Sequence, residues 1–314
     1  MAIKRVLQIG RLMSALEEQL QREFTVVRLA DQPDAAAFLA SEGASFDALV
    51  TSAAFGADAR LFDKLPNLKI ISSFGVGLDQ IDLAAAAARG IAVGYTPDVL
   101  NDCVADIAFA LLLDVARGAS ASDRFVRAGK WLTERYPLQT RVSGKRLGIL
   151  GLGRIGRTIA RRATGFDMEI RYTNRRRVND VPYTHEPDIK ALAAWSDFLV
   201  IAAAGGDESR GMVSAEVLNA LGPKGFLVNV ARGSVVDERA LVKALQDGRI
   251  AGAGLDVFED EPNVPPALFQ LDNVVLLPHV ASGTEETRQA MADRVLDNLR
   301  RFHAGEPLVS QAPA

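Results

Sequence analysis

A chain of 314 residues, 48% hydrophobic and 24% charged, carries enough apolar material for two packed domains, which excludes a small single module and a largely disordered chain. Its 36 Lys and Arg against 39 Asp and Glu leave a net charge of −3, so no general attraction to nucleic acid or to an anionic membrane is expected. The single cysteine, Cys103, excludes an intramolecular disulfide and argues against a structural zinc site; no metal is expected.

The start, MAIKRVLQIG, is strand-like and too short for a signal peptide, and no uncharged apolar run is long enough to span a bilayer. The end, VSQAPA, carries no peroxisomal tripeptide. A reducing cytoplasm is the expected setting. Over the first hundred residues, β-branched runs (RVLQIG, TVVRL, ALVTS, KIISS, IAVGY) alternate with helical stretches (MSALEEQLQRE, DAAAFLASE, DARLFDKL, DLAAAAARG). Parallel strands need crossover helices, so this half reads as βα units in a small layered domain. Gly75, Val76 and Gly77 form a small-residue turn after the strand KIISS, either a nest of N–H groups for a carboxylate or an ordinary strand-to-helix turn.

A long buried helix is expected from Asn101 to Gly118, followed by a polar segment containing Trp131. Six further strand candidates then alternate with helices: KRLGILG, MEIRYT, DFLVIAAA, FLVNV, AGAGLDV and VVLLPH. That alternation fits a doubly wound parallel sheet. The last helix, TEETRQAMADRVLDNLRRFHAG, is amphipathic and should pack back on the first domain.

Directly after the strand KRLGIL stands Gly151-Leu152-Gly153-Arg154-Ile155-Gly156, opening a helix. This is the context in which G-x-G-x-x-G binds a dinucleotide: a tight turn, close approach to the pyrophosphate, close helix packing, and free N–H groups at a helix N-terminus. At the end of the next strand, where an NAD site would place an acid for the ribose hydroxyl, the chain has Asn174, Arg175, Arg176 and Arg177. Guanidinium groups pair with a 2′-phosphate, so NADP is expected in preference to NAD.

Of the three histidines, only His279 follows a predicted strand directly, at a carboxyl end where open α/β sheets bind ligands. Arg232, in NVARGSVVD, and Glu261, in DVFEDEP, occupy the two preceding strand ends. A cation, a carboxylate and an imidazole beside a nucleotide site suggest a catalytic constellation.

Taken together, SSFGVGLDQIDL, YTPDVLNDCVADIAFALLL, SGKRLGILGLGRIG, NVARGSVVDERALVKAL, GAGLDVFEDEP and LPHVASGTEETRQAM resemble the D-2-hydroxyacid dehydrogenase family, and most closely its glyoxylate/hydroxypyruvate reductase branch. The resemblance implies a Rossmann domain (99–283) and a smaller flavodoxin-like α/β substrate domain split in sequence (1–98 and 284–314). It also implies that Arg232, Glu261 and His279 are the catalytic residues, that Val76 and Gly77 hold the substrate carboxylate, and that Asp256 holds the nicotinamide carboxamide. A homodimer is implied, with Trp131 either reaching toward the partner or buried in the core. Ser282 either contacts the substrate near C3 or caps the last helix through the spacing Ser282 to Glu285. The loop Ala203-Ala204-Gly205-Gly206 departs from the family's usual Cys-Pro. The expected activity is NADPH-dependent reduction of small 2-keto acids. A D-lactate or phosphoglycerate type of dehydrogenase, or a nucleotide-sensing corepressor or scaffold, are the alternatives.

Overall fold

A computed structural model of the chain describes residues 5–313. The leading residues 1–4 and Ala314, included in the expected domain bounds, lie outside the described residues. The chain divides into two units, Met1–Leu100 with Thr284–Ala314, and Asn101–Gly283.

The first unit opens with β1 (Arg5–Gln8), α1 (Ser14–Glu23), β2 (Thr25–Arg28), α2 (Ala35–Glu42) and β3 (Ala48–Ser52). It continues through α3 (Ala59–Lys64), β4 (Ile70–Phe74), α4 (Leu83–Ala88) and β5 (Ala92–Gly94). All strands are parallel, in the order β2-β1-β3-β4-β5, the flavodoxin-like winding. Helices α2, α3 and α4 each begin behind an aspartate: Asp34, Asp58 and Asp82 accept from N–H groups of the first turn. All five residues of β4 are buried, as expected of a strand covered on both faces.

The second unit begins with α5 (Asn101–Arg117), stopped by Gly118 in the left-handed conformation. The segment expected to be merely polar forms α6 (Ala119–Arg127), and Trp131 lies on the surface, 71% exposed, so its reading as a core residue is overturned. Next come β6 (Arg146–Leu150), α7 (Arg154–Ala163), β7 (Glu169–Thr173), β8 (Thr184–His185), α8 (Ile189–Trp195) and β9 (Phe198–Ile201). Then follow α9 (Ala215–Leu221), β10 (Phe226–Asn229), α10 (Glu238–Gln246), β11 (Gly252–Leu255) and β12 (Val274–Leu276). The sheet order is β12-β11-β10-β9-β6-β7-β8, a doubly wound sheet whose winding reverses between β6 and β9.

The edge strand β8 was not legible as a strand. It is two polar residues long, and His185, expected in a loop, pairs with Tyr172 while its ring lies 5.1 Å from the Tyr172 ring.

The chain ends with α11 (Glu285–Ala304), which packs on β4 and α1 of the first unit, as its amphipathic pattern implied. Ser72 donates to the Val295 carbonyl at 3.0 Å, and Arg300 pairs with Glu23 at 2.5 Å. Its cap is Thr284, whose hydroxyl accepts from the Thr287 N–H at 3.2 Å, and not Ser282 as the spacing suggested. Residues 280–283 form a separate turn, closed by the Gly283 N–H on the Val280 carbonyl at 2.7 Å, so the helix can start only beyond it. Among the described residues, no helix is long and apolar enough to cross a membrane.

Candidate active site

At the switch point, β6 runs into Gly151, whose φ of +96° favours glycine. A Cβ there would lie 2.5 Å from the Ala203 nitrogen in the loop after β9, so the two loops touch backbone to backbone. Gly156, inside the first turns of α7, sits so close to the preceding turn that a Cβ would stand 2.1 Å from the Gly151 carbonyl oxygen. Gly153 differs: among the described residues other than its chain neighbours, no heavy atom lies within 4 Å of where its Cβ would be. Its open side faces outward just before Arg154 and Ile155, the first residues of α7. An open backbone face at a helix N-terminus fits a pyrophosphate.

The loop after β7 closes one side of this turn. Asn174, half-buried, accepts from the Leu152 N–H through Oδ1 at 2.7 Å, so its side chain supports the glycine turn itself. Arg175 and Arg176 are exposed, and Arg175 pairs with Glu208 from the loop after β9. Sequence reasoning missed Glu208, which stands beyond the Ala203–Gly206 stretch it had singled out.

Three further strand ends bring together Arg232, Glu261 and His279. After β10, Asn229 shapes the turn: its Oδ1 accepts from the Ala231 N–H at 3.0 Å and its Nδ2 donates to the Arg232 carbonyl at 2.9 Å. Gly233 lies hard against the next loop, since a Cβ on it would fall 1.9 Å from the Phe258 carbonyl carbon. From that loop, Glu261 accepts the Phe258 N–H through Oε1 at 3.1 Å, and its Oε2 meets His279 Nδ1 at 2.7 Å. Burial pushes the Glu261 carboxyl up, but the hydrogen bond and charge of His279, the Phe258 N–H and the Arg232 charge together hold it below its ordinary value.

His279 has a left-handed backbone, φ 53°, unusual for a residue with a side chain. Asp256 holds it there. The Asp256 carbonyl accepts the His279 N–H at 2.9 Å, and its carboxylate accepts the Val280 and Ala281 N–H groups at 2.8 and 2.9 Å. Asp256 is wholly buried, and that burial raises its carboxyl above the ordinary value despite the two N–H donors. With Nδ1 engaged by Glu261, the nitrogen His279 can offer to a reactant is Nε2.

Ser282, half-buried, follows in the turn after Asp256's N–H partners. Val76 and Gly77 belong to the other unit, after β4. Gly75 fixes that turn by donating to Thr96 Oγ1 at 3.1 Å, and among the described residues no hydrogen bond uses the N–H of Val76 or Gly77.

Residues 109–281 match the family model described as D-isomer specific 2-hydroxyacid dehydrogenase, NAD binding domain. A glyoxylate/hydroxypyruvate reductase A of Arabidopsis thaliana is 48% identical over 305 residues, 97% of each chain. Among solved structures, a 2-hydroxyacid dehydrogenase from Ketogulonicigenium vulgare superposes with a TM-score of 0.93 at 45% identity, covering 100% of this chain and 99% of that one. An NADPH-dependent glyoxylate/hydroxypyruvate reductase from Sinorhizobium meliloti, solved with NADP and malonate, also gives 0.93 at 42% identity, covering 99% and 97%. The chain belongs to the D-isomer-specific 2-hydroxyacid dehydrogenase family. Within that family it falls in the glyoxylate/hydroxypyruvate reductase branch.

Proposed function

We propose that this protein reduces glyoxylate and hydroxypyruvate to glycolate and D-glycerate with NADPH. The observation that carries this reading is the Glu261–His279 pair at 2.7 Å, presented beside Arg232 at the carboxyl ends of β10, β11 and β12. The relatives named as reductases of these two acids support the choice of substrate.

In this reading His279 carries the proton on Nε2 and delivers it to the substrate carbonyl oxygen. Glu261 engages Nδ1 and so fixes the plane of the imidazole. Arg232 faces the same oxygen, where negative charge develops, and also the carboxylate. The N–H groups of Val76 and Gly77 are donors suited to a carboxylate. Ser282 is a candidate contact for a substituent at C3. The dinucleotide supplies the hydride. Gly151, Gly153, Arg154, Ile155 and Gly156 would hold its pyrophosphate, Arg175 and Arg176 its 2′-phosphate, and Asn174 acts mainly by bracing the glycine turn. Asp256, assigned to the nicotinamide by resemblance, has both carboxylate oxygens engaged by N–H groups, so its first role in this reading is to position His279.

We assign the dinucleotide and the catalytic residues to the unit Asn101–Gly283, and a carboxylate-binding turn to the other. We assign the contact between two copies of a homodimer to the segment that carries the exposed apolar residues Val126, Trp131, Leu132 and Leu138. The cytoplasm remains the proposed compartment. The test is a panel of glyoxylate, hydroxypyruvate, pyruvate and phosphohydroxypyruvate with NADPH and with NADH, following loss of reduced-nicotinamide absorbance. Turnover of the first two with NADPH, with pyruvate poorer than hydroxypyruvate, supports the reading. Tight nucleotide binding without turnover of any keto acid would replace it with a sensor.

A further inference from the structure

We propose that Glu208 sets how strongly the protein distinguishes a 2′-phosphorylated nucleotide from its unphosphorylated counterpart, by competing with the 2′-phosphate for Arg175. The inference rests on the reading of Arg175 as a ligand of that phosphate.

The sheet order β9-β6-β7 puts the loops after β9 and β7 on either side of the glycine turn that follows β6. Arg175 stands in one of these loops and Glu208 in the other, so their ion pair spans the turn. Both anchors are fixed. The Leu152 N–H on Asn174 Oδ1 ties the base of the Arg175 loop to the glycine turn, and Ala203 packs against Gly151 on the other side. Beyond it, Gly206 turns the chain at φ +129°, and its carbonyl accepts from both the N–H and the hydroxyl of Ser209, at 3.2 and 3.1 Å. Glu208 sits inside that closed turn.

The pair itself is wet. The Arg175 side chain is 84% exposed and that of Glu208 77%, so the contact is too weak to be a structural anchor and exchanges readily. The neighbouring carboxylate Asp180 is engaged elsewhere, by both Nη atoms of Arg157 at 2.7 and 2.8 Å. Glu208 holds Arg175 through Nη1, and a carboxylate and a phosphate make the same charge-assisted bonds to a guanidinium, so a nucleotide's 2′-phosphate competes with Glu208 for that nitrogen. Once displaced, Glu208 stays on its fixed turn, with Asp207 beside it, and repels the incoming dianion. An unphosphorylated ribose meets neither effect.

The experiment titrates the native protein, Glu208→Gln, Arg175→Ala and the double variant with adenosine 2′,5′-bisphosphate and with ADP, by calorimetry at low and high salt. Glu208→Gln should bind the 2′-phosphorylated probe about two- to fivefold more tightly and ADP with unchanged affinity. The gain should vanish at high salt and in the Arg175→Ala background. An equal change for both probes, no change for either, or the same gain without Arg175 would overturn the inference. Failure of the cofactor reading looks different: Arg175→Ala would then leave the native ratio of the two affinities unaltered.

Discussion

Replacing Asp256 with alanine tests whether this carboxylate is a clamp for the His279 turn or a ligand contact. Two N–H groups, of Val280 and Ala281, lose their acceptor. A hydrogen bond to a charged group is worth about 1.5 to 3 kcal/mol. Val280 is 38% exposed, so its N–H can turn to water, whereas Ala281 is 4% exposed and its N–H cannot. Relief of the buried carboxylate's desolvation offsets part of the loss. The expected cost is about 2 to 4 kcal/mol, a large share of the roughly 5 to 15 typical of a folded protein.

Freed of its clamp, His279 should leave the left-handed region, since that conformation costs about 1 to 3 kcal/mol and persists only when its surroundings impose it. The Glu261 contact then loosens, and turnover should fall by about 10²-fold, as misplacement by roughly 1 Å can cause. Asp256→Asn should do no better, because its amide keeps one acceptor and turns an N–H toward the other N–H. Urea unfolding and steady-state kinetics read the two effects. If Asp256→Ala lowers stability by less than about 1 kcal/mol and raises only the KM for dinucleotide, the clamp is wrong and the carboxylate is a nicotinamide contact.

His279→Ala should lower turnover by about 10² to 10⁴ with little change in dinucleotide affinity, checked by steady-state kinetics and a nucleotide titration. Because the Glu261 carboxyl is held below its ordinary value of 4.5, its pairing stabilises the fold fully above that pH and is lost as pH falls through the lowered value. Melting temperature followed against pH should therefore show an acid limb that Glu261→Gln flattens. Thr284→Ala should cost about 1 kcal/mol in urea unfolding, as loss of a helix cap does, whereas Ser282→Ala should stay within about 0.5.

The two parallel sheets were legible because strands covered on both faces read as continuous apolar runs, and β4, β9, β10 and β11 are each wholly buried. Glu261 and His279 were legible from position, as charged or titratable residues at successive strand ends. What sequence could not supply was partnership. Asp256 after a strand looks the same whether it meets a ligand or two N–H groups. Asn229 in NVARG looks like one more turn residue, yet its side chain holds both Ala231 and Arg232. The cap of α11 was misplaced for a related reason: Ser282 to Glu285 has the right spacing, but Asp256 has already drawn the chain into a turn at Val280 and Ala281. The strand β8 failed because two polar residues carry no period.

The three strand ends are mechanically one unit, and this bears on how the site tolerates change. Gly233 presses on the Phe258 backbone; the Phe258 N–H holds Glu261; Glu261 holds His279; and Asp256, three residues before Glu259, holds the turn in which His279 sits. Arg232, next to Gly233, is thereby set at a distance from Glu261 that the intervening backbone dictates. A methyl group at position 233 would have to push the Phe258 carbonyl carbon from 1.9 Å to ordinary contact distance, displacing the loop that carries Glu261 while touching none of the three side chains. Rigid backbone contact therefore fixes the site's geometry as much as its hydrogen bonds do, and a dyad with one exposed face can keep its orientation without being buried.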